Sequence, residues 1–185
     1  MIIQQLSLFE TEPTETTGKE SNENYTPIDL IELVHSFYGY PELDPFTCRL
    51  ANQIIKAQKI FTIQDDGFTQ DWRGYQTIWL NPPYSAGFLE PVVDKLIELL
   101  IESPEVFLLT NTDNSTQWYK KALMSCDRFI LPTKRLTFYS PKRAAEGKKQ
   151  SGNDKPQTLF YFGQQPQKVE EVFVGWGVVC QTSKW

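Results

Sequence analysis

Asn81-Pro82-Pro83-Tyr84 follows directly on Thr77-Ile78-Trp79-Leu80, a run of β-branched, aromatic and aliphatic residues that reads as a buried strand. Each proline fixes its own backbone dihedral and restricts the residue before it, so Asn81 and Pro82 are held extended. A carboxamide and main-chain carbonyls then stand on a stiff corner, where they accept hydrogen bonds. Tyr84 adds a flat ring suited to stacking on a planar ligand. Acceptors that grip an amino group, beside a ring that stacks, suit an exocyclic amine on a heterocycle. A proline-rich turn between a strand and a helix is the plainer account of the same four residues.

Other chemistries have little material. His35 is the one histidine and lies in an apolar helical stretch, which speaks against a catalytic triad or a histidine metal site and for a partly buried, hydrogen-bonded ring. Cys48, Cys126 and Cys180 are far apart and lack CxxC spacing, so reduced, structural thiols are expected, with neither a disulfide framework nor a metal. No apolar run approaches a membrane span, and the N-terminus lacks a secretory pattern, so an intracellular protein is expected. The formal charge of -5 argues against attachment to nucleic acid by charge alone. The charge is unevenly spread, however: Lys134, Arg135, Lys142, Arg143, Lys148, Lys149 and Lys155 cluster against only Glu146 and Asp154. Such a run is usually a solvated loop, and it equally suits phosphate contact.

The elements that must position these groups alternate. Residues 1–24 include the polar, acidic stretch ETEPTETTGKESNEN, too poor in apolar side chains to order itself, so a flexible tail is expected to precede one folded domain over residues 25–185. Thr26 reads as a helix cap, with Pro27 and Asp29 in the first turn and Ile28, Ile31, Leu33, Val34 and Phe37 on one face before Gly39. A strand ending at Asp44-Pro45, a helix over LANQIIKAQ and a strand KIFTI follow. After a turn-rich QDDGFTQDWRGY come TIWL, a helix FLEPVVDKLIELLIES, the strand EVFLLT, and a helix STQWYKKALMS capped by Asn114 or Ser115. RFILP, LTFYS and TLFYFG read as the last strands. This predicts an α/β fold, a mostly parallel sheet with helices on both faces, binding ligands at the carboxyl ends of its strands.

NPPYS resembles the catalytic motif of amino-directed, S-adenosylmethionine-dependent methyltransferases, whose DNA adenine-N6 members carry Asp or Asn before Pro-Pro-Tyr. With YTP, LDPF, DDGFTQDW, LLTNTDNSTQWY, RLTFYSP and QTLFYFG, in that order, residues 24 to 177 are similar to the phage-type Dam family of DNA N6-adenine methyltransferases. A Rossmann-like methyltransferase fold is implied. The glycine-rich Phe-x-Gly-x-Gly loop of the general pattern is absent after the first strand.

The resemblance implies roles. Tyr25, Thr26 and Pro27 would cover the methionine part of S-adenosylmethionine. Asp44 and Pro45 would lie at its amino group or ribose, and Asp65 or Asp66 at its adenine amine. Helix capping by Asp44 and a simple Asp-Asp-Gly turn are structural rivals. Asn81, Pro82, Pro83 and Tyr84 would form the catalytic corner, with the Asn81 side-chain and Pro82 main-chain carbonyls drawing the adenine N6 lone pair out of conjugation. A base inside double-stranded DNA must be flipped to reach it. Tyr84 and Phe138 would sandwich that base, unless Phe138 is ordinary core. Lys134, Arg135, Lys142 and Arg143 would hold phosphates, and no metal is needed. Gln5, Leu6, Leu8 and Phe9 in QLSLF resemble the pentapeptide that docks on the bacterial replication sliding clamp, against the rival that the segment packs on its own domain. The setting implied is bacterial cytoplasm, phage or prophage encoded. Rival functions are methylation of a protein glutamine amide or of RNA, and a catalytically silent DNA-binding module. Methyl transfer to adenine in duplex DNA separates the first, and cofactor binding the second.

Overall fold

The computed structural model describes residues 25–85, 87–140 and 155–182. Gln5, Leu6, Leu8, Phe9, Lys142 and Arg143 lie outside the described residues. Strands β1 (Leu43–Asp44), β2 (Lys59–Ile60), β3 (Thr77–Leu80), β4 (Glu105–Asn111), β5 (Arg128–Pro132), β6 (Gln157–Phe162) and β7 (Gly177–Cys180) form one sheet. Its order is β2-β1-β3-β4-β6-β5-β7. The first four strands are mutually parallel, β6 is antiparallel to both β4 and β5, and β7 is antiparallel to β5. Five strands therefore share one direction, and their carboxyl ends lie along one edge.

Alternation along the strands divides the core in two. Trp79, Phe107, Leu109, Leu159 and Tyr161 face α1 (Ile28–Tyr38), α2 (Arg49–Ile55) and α5 (Pro166–Phe173). Ile78, Leu80, Val106, Leu108 and Phe160 face α3 (Leu89–Leu99) and α4 (Gln117–Ser125). In α1 the helical spacing brings Leu30, Ile31, Val34 and Phe37 to the sheet, each 0–1% exposed, and each such burial is worth about 2 kcal/mol. Gly39, at φ 82, ends the helix in a conformation that side chains resist. In α3, Pro91 is the third residue, where its missing N–H costs no helical hydrogen bond. His35 is bonded as expected, with Nε2 2.8 Å from the Ile55 carbonyl.

Some local expectations are corrected. Pro27, with no side-chain cap, precedes α1, because the Thr26 hydroxyl is engaged elsewhere. Thr116 is the N-cap of α4 in place of Asn114 or Ser115, and the Ser115 hydroxyl donates instead to Asp113. LTFYS is extended but joins no sheet strand, making a two-residue bridge between Tyr139 and Tyr25. Beyond TLFYFG the chain adds α5 and β7, where the amphipathic PQKVEEVF buries Val169 and Phe173.

Candidate active site

Asp44 ends β1 and Leu80 ends β3, and the two strands are neighbours. From β1 the chain passes through α2 on one face, and from β3 through α3 on the other, so the sheet reverses its winding between them. Open α/β sheets bind ligands at such a point, where neither connection covers the strand ends. Asp44 is 0% exposed. Its Oδ1 accepts from the Phe46 N–H at 3.0 Å, while the buried Oδ2 has no protein partner. Burial pushes this carboxyl up to about 7, against the opposing pull of the Phe46 N–H and the Thr47 hydroxyl. A buried acceptor without a donor is costly, and a ligand donor would relieve it.

The QDDGFTQDW loop walls this end of the sheet. Gly67 lies so close to Pro45 that a Cβ there would collide with the Pro45 carbonyl oxygen, which explains glycine at that position. The Trp72 indole donates to the Gly67 carbonyl at 2.8 Å. Lys95 of α3 donates to the Phe68 carbonyl at 2.7 Å and to that of Gln70, with its ammonium 4.9 Å from the Trp72 ring centre. The loop is thus stapled onto Leu-Asp-Pro-Phe. Asp65 and Asp66 lie at its exposed tip. Asp65 Oδ2 accepts from the N–H and the hydroxyl of Thr62, both at 2.8 Å, which lowers its carboxyl pKa and closes the turn. Asp66 takes φ 51, a turn conformation that Asp tolerates. The Asp65 carboxylate and the Asp66 backbone, whose carbonyl accepts from Thr69, thus close a tight turn.

On the neighbouring strand, just past β3, the Asn81 amide is held at both ends. Its Nδ2 donates to Thr26 Oγ1 at 3.1 Å, and its Oδ1 accepts from the Tyr84 hydroxyl at 2.8 Å. The same hydroxyl approaches the Leu109 carbonyl of β4 at 3.3 Å. Burial pushes the Tyr84 hydroxyl far above the usual tyrosine range, so it stays a donor. Pro82 is buried and Pro83 exposed, which fixes the corner from below and leaves its outer side open. Asn81 Oδ1 keeps a second lone pair.

Thr26, 3% exposed, belongs to a segment clipped to residues 138–140. Tyr25 and Tyr139 exchange main-chain bonds of 2.8 and 3.0 Å, and their rings stack at 6.2 Å. The Cys48 thiol reaches the Tyr25 hydroxyl at 3.4 Å and also caps α2. Phe138 is 5% exposed and packs in the core under α1. It lines a groove of about 330 Å³ with Pro27, Leu136 and Trp176, and exposed Lys134 and Arg135 lie on the groove's wall. The structure thus joins Thr26, Asn81 and Tyr84 in one network and sets Asp44 one strand away. It does not bring Asp65 or Asp66 into bonding contact with them, and Phe138 joins through the Tyr25–Tyr139 clip.

Several polar groups at the same edge escaped the sequence reading. The Gln157 amide donates to Asn111 Oδ1 at 3.2 Å and its Oε1 is buried without a partner, as is Thr110 Oγ1. Thr158 bonds to both Thr112 and Tyr119. The one available signal was polar residues ending two otherwise apolar strands. Among the described residues no cluster of three ligating side chains could hold a metal, and no helix is long and apolar enough to cross a membrane.

Known proteins bear on this geometry. The family model described as DNA N-6-adenine-methyltransferase (Dam) matches residues 14–175. A DNA N-6-adenine-methyltransferase of Haemophilus phage HP1 is 26% identical over 152 residues, covering 80% of this chain and 84% of that protein. One of Escherichia phage T1 is 30% identical over 106 residues, covering 57% of this chain and 42% of that protein. The match spans Thr26, Asp44, Asn81 and Phe138, so the chain belongs to the DNA N-6-adenine-methyltransferase (Dam) family.

Proposed function

We propose that the chain transfers a methyl group from S-adenosylmethionine to the N6 amine of adenine in double-stranded DNA, with Asn81 and Pro82 as the groups that engage the amine. The observation that carries this reading is the pairing of an unmatched buried carboxylate, Asp44, with a rigid acceptor corner, Asn81-Pro82, on adjacent parallel strands where the sheet reverses its winding. The residues present fit the cofactor: Asp44 offers an acceptor that wants a donor, and the stapled Gly67 loop gives it a wall. When bound, the cofactor supplies a sulfonium-activated methyl carbon. Asp44 would accept from a cofactor hydroxyl or amino group, with Pro45, Asp65 or Asp66 and the segment Tyr25-Thr26-Pro27 as further contacts.

Asn81 Oδ1 and the Pro82 carbonyl would each accept a hydrogen bond from N6, raising electron density on that nitrogen and aligning its lone pair. With a good leaving centre, alignment and electrostatic support carry most of the rate. Neither oxygen is basic enough to keep a proton, so the surplus N6 proton passes to water. The flipped base would lie against Tyr84, with Phe138 at the rim. Lys134 and Arg135, with Lys142 and Arg143, would contact phosphates. Asn81→Ala should lower the incorporation of labelled methyl groups into adenine of unmodified genomic DNA by about a hundredfold or more, with cofactor affinity kept. Full activity in this variant would remove Asn81 from the mechanism.

A tethering role rests on sequence. Gln5, Leu6, Leu8 and Phe9 would hold the enzyme to a replication sliding clamp in the bacterial cytoplasm, and a Gln5→Ala, Phe9→Ala variant should then pass through a column of immobilised clamp that retains the parent chain.

A further inference from the structure

The groove beside Trp176 takes no part in the methyl transfer derived above, yet it adjoins the catalytic corner. β4 and β5 are both antiparallel to β6, so β5 ends at Pro132 on the edge that carries Asn81, and β7, antiparallel to β5, starts there at Gly177. The groove lies between these two strand ends and the start of α1. Thr26 bonds the Asn81 amide, and the next residue, Pro27, lines the groove. Neither Asn81 nor Tyr84 lines it. We propose that the groove holds the nucleotide next to the flipped adenine, its base against the Trp176 ring and its phosphate at Lys134 and Arg135. This rests on the reading of the chain as a methyltransferase acting on adenine in DNA.

Three observations support it. The groove is divided chemically as a nucleotide is: Trp176, Phe138, Leu136 and Pro27 offer rings and apolar surface, while Lys134 and Arg135 stand exposed on its wall. A base presents a flat face that stacks, and its phosphate an anion that pairs with cations. The local charge also suits a polyanion. In a chain of net charge -5, these two cations face a single acid among the lining residues, Asp29, whose Oδ1 accepts from the Leu30 N–H at 3.0 Å. Trp176, finally, is a half-buried ring on a fixed main chain. Its N–H donates to the Phe173 carbonyl at 3.1 Å, and its carbonyl accepts from the Thr133 N–H at 3.2 Å and hydroxyl at 3.0 Å. Gly175, at φ 84, makes the turn into it, and the ring packs edge-on against Phe173 at 5.8 Å. A ring held in this way loses little freedom when a base stacks on it.

The experiment measures binding and single-turnover methylation of a short duplex centred on one adenine that the enzyme methylates. Trp176→Ala should weaken DNA binding roughly 5- to 50-fold, with the rate at saturating DNA kept within about threefold, and Trp176→Phe should restore most of the affinity. The salt slope of binding should not change, because the lost contact is to a base and not to a phosphate. The same duplex is then made without a base at the nucleotide on either side of the adenine. At one of the two positions the missing base should weaken binding to the parent enzyme and cost Trp176→Ala less than about twofold more, since both changes remove one contact. If Trp176→Ala melts below the assay temperature, Trp176→Leu takes its place, which keeps apolar cover over Phe173 and lacks the ring. Parental DNA affinity in the ringless variant overturns the proposal, as do additive penalties at both positions. Absence of adenine methylation by the parent enzyme would instead overturn the reading on which the proposal rests.

Discussion

At Asp44 two demands compete. The carboxyl ends β1 at the site proposed above for the cofactor, yet it is wholly buried, with one oxygen unmatched by any protein donor. Its pKa rises from 3.8 to about 7, mainly through desolvation. Between those values the unfolded chain gives up this proton and the folded chain keeps it. The carboxyl therefore costs stability progressively as pH rises through that window, to a limit on the order of 4 kcal/mol. Asp44→Asn replaces it with an amide that cannot ionise. The variant should melt above the parent at pH 8 and keep only about a third of that advantage at pH 5, while binding cofactor more weakly at both. A stability difference independent of pH would show that Asp44 is ionised in the folded protein at both values.

Elements decide how much of this was readable. TIWL, EVFLLT and TLFYFG were legible as strands because their apolar side chains are buried on both faces of a covered sheet, and the corner Asn-Pro-Pro-Tyr was legible because proline constrains the backbone wherever it occurs. The Thr26–Asn81 and Tyr84–Leu109 bonds were not, since they join segments 55 and 25 residues apart and leave no local pattern. α5 and β7 escaped because PQKVEEVF is mostly polar and GWGVV is short and interrupted by glycine, and their packing depends on Phe107 and Ile130 in distant strands. The QDDGFTQDW loop was read as a turn, but its attachment to α3 through Lys95 was invisible. Lys95→Met keeps the aliphatic stem beside Trp72 and removes the bonds to the Phe68 and Gln70 carbonyls. It should lower stability by about 1–2 kcal/mol and speed proteolytic cutting between residues 61 and 72. Unchanged melting and cutting would mean that the Gly67–Pro45 contact suffices to hold the loop.

For the whole molecule, a net charge of -5 must be reconciled with a polyanionic substrate. Lys134 and Arg135 are exposed beside the groove at the carboxyl edge, on the connection that follows β5, so attraction can be local while the remaining surface is acidic. Binding should weaken linearly in log affinity with log salt, and replacing either residue by Ala should reduce the slope by about 1. An unaltered slope would place the phosphates elsewhere. The strand order carries a separate consequence. β6 is the sixth strand to leave the ribosome, yet it lies between the fourth and fifth, with which it makes all its ladder bonds. Until Phe162 has emerged, the nascent chain holds a four-stranded sheet, β2-β1-β3-β4, and a lone β5 with nothing to join them, so the closure that seals the interior waits for the sixth strand.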